Sequence, residues 1–157
     1  MLLSLTTVIA ARAQSGPAFA LGFDGVNDDV SVAHHTALNA FPLTVTTWIR
    51  TTQTTGAPGL INKIRFAGIL GLNGWQVYLT DGNVRARYIA GLEDYVGEGA
   101  DGLGLNGGPV ADGVWHHIAF AVDADGGRLY VDGEPRSSLP WEGNPAATTP
   151  TSVLYLG

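Results

Sequence analysis

From Trp115 to Asp123 the side chains alternate. Ile118, Phe120 and Val122 fall on one face with His116, and Trp115, His117, Ala119 and Ala121 on the other, which is the period-two pattern of a strand with one face in a core. Asp125-Gly126-Gly127 then turns the chain, and Leu129 and Val131 alternate with Arg128, Tyr130 and Asp132 in a returning strand that ends at Gly133. Earlier, Phe19, Leu21 and Phe23 alternate with Ala20 and Gly22 in a first strand, broken by Asp24-Gly25, and Val30 to Val32 makes a short second one. The polar stretch His34 to Asn39 reads as a loop. In a third strand Leu43, Val45 and Ile49 share one face and Thr44, Thr46, Trp48 and Arg50 the other.

Apolar runs at 60–64, 75–80 and 84–89 follow, separated by Gly71, Gly74 and Asp81-Gly82-Asn83. Asp-Gly supplies the positive backbone angles of a tight hairpin between the last two runs. Residues 91–113 are rich in glycine and carry Glu93, Asp94, Glu98 and Asp101, so they read as a long irregular loop. A Pro-rich stretch around Trp141 leads to a final strand at 153–157, which runs straight into the C-terminus and reads as part of a longer protein. About nine strands without an amphipathic helix predict an all-β, two-layer antiparallel β-sandwich.

Length and composition narrow the picture. A chain of 157 residues with 45% hydrophobic content suits a single domain with a real core, and 22 glycines beside only 14% charged residues favour short strands and tight turns. The net charge of −6, with one lysine and seven scattered arginines, offers no basic stripe for phosphates, which argues against nucleic acid as a partner. Acidity also disfavours anionic lipid, and no segment reaches the length of a membrane span. The absence of cysteine excludes disulfides, thiolate metal sites and a cysteine nucleophile. At the start, the apolar stretch Leu2 to Ala11 followed by Ala11-Arg12-Ala13 resembles a signal peptide over residues 1–13 and points to a secreted or cell-surface protein; the competing reading is a tail or extra edge strand.

Three stretches carry a family resemblance. Ala20-Leu21-Gly22-Phe23-Asp24-Gly25-Val26-Asn27-Asp28-Asp29-Val30, then Leu43 to Arg50, then Gly113 to Ala119 with Leu129-Tyr130-Val131-Asp132-Gly133 resemble, in order and spacing, the laminin-G-like jelly-roll domains of the concanavalin A-like lectin and glucanase superfamily. The resemblance covers residues 18–157 and implies a jelly roll lacking its last strand, because such domains continue past the strand matching 153–157 with another that carries an Asp near the first motif. It implies a non-catalytic binding or adhesion module for carbohydrate or extracellular protein, within a larger secreted or surface protein. Glucanases share the fold, so an enzyme and a purely structural spacer stand as alternatives.

Candidate chemistry follows from residue types. Asp24, Asp28 and Asp29 in a Gly- and Asn-containing turn are either calcium ligands, as the resemblance implies, or an Asx-type turn capping its own backbone. Asp123-Ala124-Asp125-Gly126 lacks the distal Glu of a calcium loop and reads as a hairpin turn. Glu93 and Asp94 are adjacent and point to opposite faces, unlike the paired acids of a retaining glycosidase. His116 and His117 diverge for the same reason, and His34 and His35 lie in a loop. Flat rings stack on pyranoses, which makes Trp75, Tyr88, Tyr95 and Trp141 candidate ligand contacts, with Tyr95 and Trp141 the exposed pair, while Trp48 and Trp115 are expected to fill the sandwich.

Overall fold

The computed structural model describes residues 19–66, 71–97 and 102–157. Glu98, Asp101 and the leader-like residues 1–13 lie outside the described residues. Two antiparallel sheets face each other. The larger holds β1 (Val30–Val32), β3 (Gly59–Phe66), β4 (Leu72–Thr80), β5 (Asn83–Ile89), β6 (Tyr95–Val96), β7 (Leu105–Pro109) and β11 (Leu154–Leu156), in the order β1-β11-β3-β4-β5, with β6 and β7 both pairing β5. The smaller is β10-β9-β8-β2, built from β2 (Leu43–Ile49), β8 (His116–Asp123), β9 (Gly126–Val131) and β10 (Glu134–Leu139). β5 and β7 lie against β9 and β10. This is the sandwich expected from the pattern.

The alternation in β8 sorts as read: Ile118, Phe120 and Val122 are buried, and they meet Leu129 and Val131 of β9. Opposite them the larger sheet contributes Trp75, Val77, Leu79, Val84, Ala86, Tyr88 and Leu105. Each of the buried valine, leucine, isoleucine and phenylalanine side chains stabilises the fold by roughly 1.5–3 kcal/mol. The Asp81-Gly82 turn joins β4 to β5 with both residues at positive φ (47° and 79°), the pairing a two-residue hairpin needs. Asp132-Gly133, at φ 56° and 82°, turns β9 into β10 in the same way.

Four readings need correction. Residues 19–23 form no strand, and Phe19 and Leu21 are exposed: alternation makes a strand only where a neighbour supplies hydrogen bonds, and among the described residues no strand pairs with this segment. The 34–39 loop contains a 3-10 turn, Thr36–Asn39, whose Ala37 N–H donates to His35 Nδ1 (3.2 Å). The 91–113 loop contains β6 and β7. The chain after Gly133 immediately forms β10, a polar edge strand whose pairing with β9 shifts between Pro135 and Ser137.

Candidate functional site

The outer face of the smaller sheet is built in cross-strand rows. Trp48 of β2 stands opposite His117 of β8, with ring centroids 5.2 Å apart. The next row runs Thr46, Ala119, Tyr130 and Pro135, and the one after it Thr44, Ala121, Arg128 and Ser138. Two alanines in the middle leave a low floor, so the larger side chains of β9 and β10 rise as a wall. There a shallow groove of ≈ 260 Å³ is lined by Arg128, Tyr130, Pro135, Arg136, Ser137 and Ser138.

The two arginines differ in their circumstances. Arg128 Nη1 donates to Asp123 Oδ2 at 2.6 Å, and its Nη2 lies 3.7 Å from Asp125 Oδ2. The bond from Arg128, joined by the Asp125 backbone N–H, holds the Asp123 carboxyl below the usual carboxylate range. Arg136 occupies the bulged position of the edge strand and is exposed, with no ion pair among the described residues. One guanidinium is therefore fixed and its charge matched, while the other is open to solvent.

Trp48 and Trp115 do not fill the sandwich. Trp48 sits on this outer face, and Trp115 lies under the Arg50 guanidinium, 5.3 Å from the ring centroid. Trp75 and Tyr88 are the reverse correction: they are 3% and 0% exposed, so neither ring can meet a ligand. Trp75 Nε1 donates to the Leu38 carbonyl (3.0 Å), and the Tyr88 hydroxyl, its pKa pushed up by burial, accepts from the Thr148 N–H (3.0 Å). A face of a strand cannot be assigned inward or outward from an isolated aromatic in a run buried on both sides.

The structure pairs Tyr95 with Glu142, the residue after Trp141, their backbones exchanging two hydrogen bonds (3.0 and 2.8 Å). The Trp141 ring nevertheless packs edge-on against Phe41 and Tyr88, at 5.7 Å from each, and its Nε1 donates to the Asp123 carbonyl (2.7 Å). Nearby, Asp94 Oδ1 accepts from the Asn144 N–H (2.7 Å), which commits that carboxylate to holding the 143–144 turn.

At the first motif, Asp24 Oδ1 accepts from the Val26 N–H (2.8 Å) and Asp28 Oδ2 from the Asp24 N–H (3.0 Å). Both carboxylates thus cap their own exposed turn, and no group of three carboxylates or imidazoles converges on a cation position among the described residues. Asp24, Asp28 and Asp29 do not fit a calcium site as they are arranged here.

Sequence reading missed Lys63. It is fully buried in β3, and its Nζ donates to the carbonyls of Ser152 (2.9 Å) and Pro150 (3.2 Å) and to His34 Nδ1 (3.2 Å). Burial lowers its pKa. A lone lysine in an apolar run was the only available signal.

On the outer face of the larger sheet, Gln76 and Tyr78 are also buried. The Gln76 carboxamide oxygen accepts from Arg87 Nε and Nη2 (2.8 Å each), Arg87 lies 5.4 Å over the Tyr78 ring, and the Tyr78 hydroxyl donates to the Leu103 carbonyl. The chain covers this face itself at Gln76 and Tyr78, whereas toward the β11 edge Tyr155 of the same cross-strand row is exposed.

A family described as the concanavalin A-like lectin/glucanases superfamily (Laminin_G_3) matches residues 24–157. The chain belongs to this laminin-G-like family. No curated protein matches it. Among solved structures the domain is similar to the mouse laminin alpha1 chain, domains LG4-5, at a TM-score of 0.53 and 18% identity over 73% of this chain. The laminin-G-like domain spans 27% of that chain's length, and the likeness is one of fold.

Proposed function

We propose that this laminin-G-like domain is a non-catalytic extracellular binding module that takes carbohydrate in the groove on β9 and β10. The observation that carries the reading is the combination at that groove: a half-exposed tyrosine ring, a solvent-exposed guanidinium at Arg136 and the hydroxyls of Ser137 and Ser138. A ring supplies a face for the apolar side of a pyranose, and a few donors fix its orientation.

Lack of catalysis is supported by what the neighbouring carboxylates already do. Asp123 and Asp125 engage Arg128, and Asp132 accepts from both His116 and the His117 N–H, so none is a free acid or nucleophile facing the groove. The extracellular setting rests on the family and on the leader-like start. Calcium plays no part in the proposed contact.

The test is a glycan array followed by titration of the best glycan. Tyr130→Ala combined with Arg136→Ala is expected to weaken binding at least about tenfold, or about 1.4 kcal/mol, while leaving the melting midpoint near that of the wild type, because both side chains stand outside the core. A glycan held equally well by the double variant places the site elsewhere, and a blank array removes the carbohydrate reading.

A further inference from the structure

His116 stands at the start of β8 with both ring nitrogens against carboxylates. Nδ1 lies 2.8 Å from Asp132 Oδ2, in the turn between β9 and β10, and Nε2 lies 3.1 Å from Asp112 Oδ1, in the loop that precedes β8. Each carboxylate is itself tied to backbone: Asp132 Oδ1 accepts from the His117 N–H (2.9 Å), and Asp112 Oδ1 accepts from the Val114 N–H (3.0 Å). The imidazole is 13% exposed, whereas Asp132 and Asp112 are 44% and 60% exposed.

We propose that His116 is a proton-dependent clamp which pins the 112–114 loop to the β9–β10 turn when it is an imidazolium and releases the loop from that turn when it is neutral, leaving the Gly113 N–H on the Thr51 carbonyl (2.9 Å) as its tie to the sheet. The inference does not depend on the ligand of the groove. Its physical basis is donor count. An imidazolium has two N–H groups and satisfies both carboxylates, but a neutral ring has one, so its bare nitrogen must then face a carboxylate oxygen. The longer and more exposed contact, to Asp112, is the one that breaks: the His117 amide holds Asp132 to β8 beside the ring, whereas the Val114 amide ties Asp112 only to its own loop.

The groups that face this ring are these two aspartates, together with Arg136 of β10, which acts on Asp132. The cross-strand neighbour on β2 is Ile49, which carries no charge. Burial opposes the charge on His116, yet the hydrogen bonds from Asp132 and Asp112 and their negative charges outweigh it and raise its pKa. Asp112 is lowered by the Val114 amide and then by His116. At Asp132 burial is likewise outweighed, by His116 and the His117 amide, and its pKa also falls.

A raised histidine contributes stability that is complete below about 6.5, the ordinary value, and is lost as pH rises through its raised value. The lowered aspartates contribute above their ordinary range and lose it as pH falls through their lowered values. The clamp is thus closed in mild acid and opens on the alkaline side of an ordinary histidine.

The experiment is an NMR titration of the four histidine rings with hydrogen exchange of the Val114 amide, corrected for the intrinsic pH dependence. His116 is expected to titrate above ordinary histidines, and Val114 protection to fall several-fold with the same midpoint. Asp112→Asn is expected to lower that midpoint and to flatten the exchange transition. Asp125→Asn, which touches Arg128 rather than His116, leaves both unchanged. A His116 midpoint at or below the ordinary value, or Val114 protection indifferent to pH in the wild type, overturns the clamp. The wild-type measurements decide the question even where a variant folds poorly.

Discussion

Lys63→Ala is expected to destabilise the domain by about 3–5 kcal/mol, a large part of what a domain of this kind has to lose. Two losses add. A fully buried side chain is truncated opposite Trp75, and the carbonyls of Pro150 and Ser152 lose the donor that binds them to β3. Each acceptor left unpaired costs about 1–3 kcal/mol. Lys63→Met separates the two effects, since it keeps most of the volume and leaves only the carbonyls unsatisfied, so its cost is expected to be smaller.

Denaturant unfolding followed by tryptophan fluorescence reads both variants. A Lys63→Ala cost below about 1 kcal/mol would mean that the segment around 150–152 is held by something else. The lowered pKa adds a directional check. A buried base whose pKa falls on folding opposes folding while it is charged, and that opposition is relieved as pH rises toward its ordinary value of 10.5. The wild type should therefore gain alkaline stability from this group, and Lys63→Met should not.

Gly74→Ala is the second large effect, at about 3 kcal/mol or more. Gly74 sits inside β4 at φ 128°, where an L side chain is strained, and an added Cβ would come within 2.0 Å of the Lys63 carbonyl oxygen and 2.7 Å of the Ile64 Cα. Both are backbone atoms of the paired strand, so relief requires opening the β3–β4 ladder. In a domain of this size a loss of that order lowers the melting midpoint by roughly 6–12 °C. Gly25→Ala is the control: φ is 79° and nothing lies within 4 Å of the added methyl, so only the backbone strain remains, and a much smaller shift is expected. Equal shifts for the two variants would refute the close-approach explanation.

Gly74 also illustrates where the sequence was readable. As a glycine between apolar runs it looks like a break, yet it is an interior residue of β4 that lets β3 approach. β8 and β9 were legible because one face is wet and one dry, so hydrophobicity itself alternates. β4 was only half legible, since Gly74 through Leu79 are buried without interruption and burial on both faces erases the period. β10, with the sequence Glu-Pro-Arg-Ser-Ser-Leu, is mostly exposed, and its strand character comes from pairing with β9 rather than from its own composition.

The same physics governed the site residues. Aromatic type identified Trp75, Tyr88, Tyr95 and Trp141 as candidates, but the direction of a ring is set by register, and Trp75 and Tyr88 turned inward. Tyr130 was read only as part of an alternation, and Arg136 fell in a stretch that gave no strand signal. Partners more than a dozen residues apart, such as His116 with Asp132 or Lys63 with Pro150, come together only through hairpins and sheet stacking.

The uninterrupted burial of β4 has a consequence for how this domain accepts change. In β8 a saturation scan should record tolerance at every second position, with Ala119 and Ala121 accepting polar replacements while Ile118 and Phe120 do not. In β4 the same scan should record an unbroken block of intolerance from 74 to 79, because there each position, whichever way it points, already has protein above it.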